Sequence, residues 1–226
     1  MRIGLGLRRR LHHWYTRIER ARPSLYYLFF EISRRCNLSC RHCGSDCKAE
    51  VNYPELTLES WKKIIDSISR QFTPAPAIVI TGGEPFERDD LPEIAAHLHL
   101  RGLRWGMVSN GFMQDFSLWD TMLAQGLESV TICLDGSPET HRYLRVHPES
   151  YSRAVRTLPY LSESALPRLD VVSCVHPQAL STLDDTAQRL LELKVPSWRL
   201  FRIFPSRRAA QGSLCLNAPQ SKQMLE

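Results

Sequence analysis

Three cysteine thiols, Cys36, Cys40 and Cys43, fall within eight residues at spacings of four and three. Thiols so placed in a loop can share one small inorganic centre, and soft thiolates select iron–sulfur clusters, zinc or copper(I). A four-iron cluster is ordinarily held by four cysteines. Three would leave one iron open, as catalytic zinc sites leave a position open, and an open iron binds a substrate or cofactor. Cys47 keeps another arrangement in view, because Cys36, Cys40, Cys43 and Cys47 together have the count for a four-thiolate zinc site. His42 reads as a packing or hydrogen-bonding neighbour rather than a ligand.

Other chemistry-bearing residues follow in short polar or glycine-rich clusters. In Thr81-Gly82-Gly83-Glu84-Pro85 the two glycines allow backbone to approach a ligand that a β-carbon would exclude, and Glu84 offers an acceptor to an ammonium group. Ser109-Asn110-Gly111 has the chemistry of a turn, since Asn-Gly tolerates positive φ. Cys133-Leu134-Asp135-Gly136 is followed by Arg145, whose guanidinium fork suits a carboxylate, or which is simply a solvated helix charge.

The elements that must position these residues are legible as short β-rich runs alternating with longer helical patterns, the signature of repeated βα units on a parallel sheet. The pattern predicts strands at Tyr26–Ile32, Ala77–Thr81, Arg104–Ser109, Ser129–Leu134, Leu169–Val175 and Trp198–Phe204, and helices near Leu58–Gln71, Asp90–Leu100, Phe116–Gln125, Pro138–Leu161 and Leu183–Leu193. Parallel strands place their C-terminal ends on one rim, where α/β barrels build active sites. Ser33–Asp46, Gly82–Pro85, Asn110-Gly111 and Asp135-Gly136 each follow one of the first four strands. Convergence of four such clusters on one rim argues for a shared site.

With 226 residues, 43% of them hydrophobic, the chain can bury one sizeable core. It has no apolar run long enough to span a bilayer, and no signal-peptide pattern, so a cytoplasmic location is expected. Seven cysteines, four of them between Cys36 and Cys47, fit reduced metal-binding thiols better than a secreted disulfide framework. Of the net charge of +5, the arm at residues 1–24 carries an excess: Arg2, Arg8, Arg9, Arg10, Arg17, Arg20 and Arg22 face only Glu19, leaving 22 basic against 23 acidic residues elsewhere. That distribution argues against a nucleic-acid partner, which would spread basic residues over a working face. Leu7, Leu11, Trp14 and Ile18 recur at helical spacing, so the arm is expected to be a basic amphipathic helix, packed on the body in preference to contacting a membrane surface or an acidic peptide.

The Cys-x-x-x-Cys-x-x-Cys motif just after a first strand resembles that of the radical S-adenosylmethionine (SAM) superfamily. The resemblance implies an α/β fold, a partial (β/α)6 TIM-like barrel with parallel strands, over residues 25–210. It implies a 4Fe-4S cluster on Cys36, Cys40 and Cys43, whose open iron chelates SAM, and an external one-electron donor such as flavodoxin or ferredoxin. The reduced cluster then cleaves SAM to a 5′-deoxyadenosyl radical that takes a hydrogen atom from the substrate. Gly82, Gly83 and Glu84 resemble the family's Gly-Gly-Glu motif at the SAM amino group. Ser109 and Asn110 match its Ser/Thr-Asn-Gly, and Asp135 its Ser-x-Asp-Gly, with Cys133 replacing the serine and Arg145 matching a later arginine. Phe204-Pro205-Ser206-Arg207-Arg208-Ala209 resembles a Pro-x-Gly-Arg-Ala segment of the SPASM branch, in which serine and then arginine replace the expected glycine. Members of that branch commonly modify peptides, so a peptide or protein substrate is expected. Residues 211–226 read as the start of a further helix, cut short, and a truncated or non-catalytic iron–sulfur protein is the alternative.

Overall fold

The computed structural model describes residues 5–21, 25–47 and 54–225. Arg2 and Arg22 of the basic arm lie outside the described residues. Six parallel strands, β1 (Tyr27–Ser33), β2 (Ala77–Gly82), β3 (Trp105–Ser109), β4 (Leu127–Cys133), β5 (Arg168–Val175) and β6 (Trp198–Arg202), form one sheet in chain order, each hydrogen-bonded to the next. Helices cover it on one side: α2 (Leu58–Gln71), α3 (Leu91–Leu100), α4 (Phe116–Ala124), α5 (Pro138–Arg145), α6 (Ser150–Glu163) and α7 (Leu183–Glu192), with α1 (Leu5–Ala21) before the sheet and a short α8 (Ala218–Gln223) after it. This is the expected α/β fold, a partial barrel with β1 and β6 as its edges.

Alternation explains the layering. Along β1, Phe30 and Ile32 are buried with the helices while Tyr27, Phe29 and Glu31 are exposed on the other face. Opposite, α2 turns Trp61, Ile65 and Ile68 inward, one stripe of a 3.6-residue period. Its start is fixed by Thr57, whose hydroxyl accepts from the backbone N–H of Ser60 at 3.2 Å. These side chains join Ile78, Ile80, Ile94, Leu98, Trp105, Trp119 and Ile132 in one continuous core. Truncating a fully buried member such as Ile65 would cost about 2–5 kcal/mol.

Two expectations are corrected. The helix read over Pro138–Leu161 is two helices, because Val146 takes a left-handed conformation (φ 56°) and Pro148 disfavours helix at the residue before it. The break lets α5 carry Arg145 back toward the rim. The amphipathic stripe of α1 is not packed on the barrel: Leu7, Leu11, Trp14 and Ile18 are between 43% and 64% exposed.

Candidate active site

The loop after β1 carries the cysteines over the rim and is clamped from both sides. Beneath it the guanidinium of Arg88, itself 5% exposed, donates to the Ile32 carbonyl at 2.8 Å and the Leu56 carbonyl at 2.9 Å while bound by Asp90. Glu55 accepts from the Ser33 hydroxyl at 2.5 Å and the Arg34 N–H at 2.9 Å. Above, the Arg41 N–H donates to the Leu144 carbonyl at 2.8 Å, tying the loop to α5. In the sequence Arg88 stands in a charged run, Glu87 to Asp90. Only its burial shows it to be a strut.

Gly82 and Gly83 also make close contacts with this loop. A β-carbon on Gly82, whose φ is +134°, would lie 2.3 Å from the Ser33 carbonyl oxygen, and one on Gly83 would lie 2.1 Å from that of Arg35. The approach lets the Gly83 N–H donate to the Ser33 carbonyl (2.8 Å) and the Glu84 N–H to that of Arg35 (2.9 Å). Their lack of side chains is therefore needed for strand-end loops to interlock.

Glu84 is 1% exposed, and its oxygens accept from the Ser109 hydroxyl at 2.9 Å and the Asn110 N–H at 2.8 Å. Burial pushes its carboxyl up to about 7 against those two hydrogen bonds. The Asn110 amide in turn donates to the Asn37 side chain within the cysteine motif at 2.8 Å, a partner the sequence did not single out. Three rim loops are thus laced together by Glu84, Ser109, Asn110 and Asn37.

At the fourth strand Asp135, fully buried, accepts from Arg145 Nε at 2.5 Å and from the Cys174 N–H at 2.7 Å. Burial opposes its ionisation, but Arg145, His141 and His42 outweigh it and hold the carboxyl well below the usual range. Arg145 is accordingly no solvated charge: it is 6% exposed, and its Nη1 lies 3.8 Å from Cys40 Sγ. His141 accepts the Asp135 N–H on Nδ1 at 3.0 Å, and burial lowers it to about 4, so it is neutral. His42 is likewise pushed down to about 3, first by burial and then by Arg145.

One cavity of about 200 Å³ collects the sulfurs of Cys36, Cys40, Cys43 and Cys47 with Gly82, Gly83, Ser109, Asn110, Cys133 and Arg145. Glu84 and Asp135 sit behind this lining. The Cys43 thiol is drawn down to about 5 because the Cys47 thiol and then, against burial, the N–H groups of Cys47, Ser45 and Asp46 donate to it. Cys36 and Cys40 are raised by burial, so a metal would have to displace their protons. Among the described residues no three His, Cys, Asp or Glu side chains converge on a single ion. The buried Arg145 Nη2 has no hydrogen-bond partner, and Arg145 belongs to the lining of this cavity. Three motif thiols and a buried guanidinium with one unpartnered nitrogen fit a cluster with a carboxylate-bearing cofactor.

Comparison with known proteins agrees. The AdoMet-dependent heme synthase of Nitratidesulfovibrio vulgaris is 27% identical over 194 residues, 85% of this chain and 52% of that protein. The PqqA peptide cyclase of Ruegeria pomeroyi is 23% identical over 172 residues, 76% of this chain and 45% of that protein. The chain thus spans about half the length of these relatives. The solved structure of native anSMEcpe with bound AdoMet shares the fold, with a TM-score of 0.73 at 16% identity over 89% of this chain and 58% of that one. The family those proteins represent uses a 4Fe-4S cluster and SAM. Residues 30–190 match the Radical SAM superfamily, and the chain belongs to it.

Proposed function

We propose that the chain is the catalytic core of a radical SAM enzyme in which Cys36, Cys40 and Cys43 hold a 4Fe-4S cluster and SAM fills the remainder of the cavity. Bound there, cluster and SAM supply a one-electron reductive cleavage whose 5′-deoxyadenosyl radical takes a hydrogen atom from the substrate. The chain's own residues bind and orient. Ser109, Asn110 and the Gly82–Gly83 backbone line the SAM side, Arg145 Nη2 offers a charge-assisted donor to a carboxylate, and Glu84 and Asp135 brace these groups from behind. The observation that carries this reading is the gathering of three motif thiols on one cavity with a buried guanidinium whose Nη2 has no hydrogen-bond partner.

Anaerobic reconstitution with iron and sulfide should give a brown protein that forms 5′-deoxyadenosine from SAM under a strong reductant. Binding of zinc alone with no cleavage would instead make it a non-catalytic metal protein.

For the substrate, a peptide or protein side chain is supported by the Phe204–Ala209 segment and by likeness to a peptide cyclase. A tetrapyrrole is the second reading, favoured by the higher identity to a heme synthase. Among the described residues no helix is long and apolar enough to cross a membrane. A cytoplasmic setting with flavodoxin or ferredoxin as electron donor completes the proposal.

A further inference from the structure

Beside the cysteine cavity lies a second one, of about 670 Å³, lined by Arg41, Asp46, Tyr143, Arg207, Arg208 and Leu214 among others. Arg208 borders both cavities. Three guanidinium groups face a single carboxylate there, and that carboxylate is spoken for: Asp46 Oδ1 lies 3.8 Å from Arg208 Nε. Arg41 is held over the Tyr143 ring, 4.6 Å from its centroid, with Nε donating to the Tyr143 carbonyl at 3.0 Å. Its remaining guanidinium nitrogens keep their donor capacity.

Arg207 is the telling residue. Its φ is +50°, a conformation that favours glycine, and it stands where the resembling Pro-x-Gly-Arg-Ala segment has glycine. Its side chain is exposed and, among the described residues, has neither an ion pair nor a hydrogen-bonding partner. A strained backbone position occupied by an unpaired cation on a cavity wall is a combination that folding alone does not favour, and strain of this kind collects at functional sites.

We infer that Arg41, Arg207 and Arg208 form the anchoring site for carboxylate groups of the substrate, holding a polyacid so that its reacting carbon lies toward the neighbouring cysteine cavity. The inference rests on the radical SAM reading of that neighbour. Planar guanidinium forks match carboxylates bidentately and exclude uncharged substrates of the same shape. The volume is that of a small-molecule pocket. The carboxylates of a compact polyacid such as a porphyrin and the acidic side chains of a peptide segment present the same chemistry to it.

The test uses the reconstituted full chain without SAM. Coproporphyrin binding is followed by its visible absorption band, and a glutamate-rich peptide labelled with a fluorophore is followed by anisotropy. Whichever probe binds identifies the source of the carboxylates. Arg207→Gln should weaken that binding about tenfold or more, Arg207→Lys should restore part of it, and the porphyrin methyl ester should bind poorly to every form. Arg156→Gln, on α6 away from the cavity, should change nothing. Arg207→Gly should weaken binding while raising the melting temperature, which separates loss of the charge from loss of fold. Equal affinity in wild type, Arg207→Gln and Arg207→Gly, or failure of both probes to bind, would overturn the inference. Formation of 5′-deoxyadenosine by the wild type without either probe is scored separately, so failure of the radical SAM reading gives a different result.

Discussion

Arg145 Nε lies 2.5 Å from Asp135 Oδ2 while Nη1 of the same guanidinium lies 3.8 Å from Cys40 Sγ, so one buried cation joins the fourth strand end to the cysteine loop. Removing one member of such a pair strands the other charge in the interior, at about 3–5 kcal/mol. Arg145→Ala and Asp135→Ala should each lower the melting temperature by roughly 6–20 °C, a range set by the size of the chain. The double variant should be less destabilised than the sum of the two, as thermal unfolding in a double-mutant cycle will show.

Glu84 gives a pH dependence of defined sign. Its carboxyl, ordinarily near 4.5, titrates near 7 because it is buried, with the Glu87 charge adding slightly, so between those values the folded form keeps a proton that the unfolded chain has lost. Stability from this group is therefore full at low pH and declines as pH rises toward and through 7, by on the order of 3 kcal/mol. Glu84→Gln abolishes the titration while retaining an acceptor for the Asn110 N–H. The melting temperature of the variant should gain on the wild type by several degrees between pH 5 and pH 8. A constant difference would show that Glu84 titrates normally. Asp135 acts in another window, since its depressed carboxyl withdraws stability only as pH falls into the strongly acid range.

Much of this arrangement was legible before any coordinates. The β-rich runs located the strands because alternating and continuous apolar patterns specify extended segments, and the chemistry-bearing clusters followed from the order of those runs. What local pattern could not reveal was burial. In sequence Arg88 stands in a charged run and Arg145 reads as a carboxylate partner or a solvated charge, and the Val146 break inside a helical period becomes visible only once Pro148 is weighed against that period. A second role of Gly83 was also hidden. Its missing side chain makes room for the Arg35 carbonyl, a residue 48 positions earlier, and spacing within one motif carries no trace of such a contact.

That contact makes Gly83→Ala a sharp probe. A methyl group 2.1 Å from backbone oxygen cannot be relieved by rotating a side chain, so the two loops must part and the Glu84 N–H bond to Arg35 must lengthen. The variant should fold, since its strands and core are untouched, yet take up less iron on reconstitution than wild type. Iron content per chain at matched circular dichroism is the measurement. Uptake equal to wild type would show that the cysteine loop holds its geometry without the clamp.

The cysteines themselves divide by number and neighbourhood. Cys36, Cys40 and Cys43 belong to the motif, whereas Cys47 lines the same cavity and donates its thiol proton toward Cys43, which makes it a hydrogen-bonding neighbour of a ligand in the proposed assignment. Cys40→Ala should lose the brown chromophore and nearly all bound iron. Cys47→Ala should keep the iron, and because its thiol is the largest influence lowering Cys43, it should need a higher pH for reconstitution. Measuring iron and acid-labile sulfide across pH for both variants decides the point. Equal loss from the two would place Cys47 among the ligands, close the fourth position, and leave no open iron for SAM to occupy.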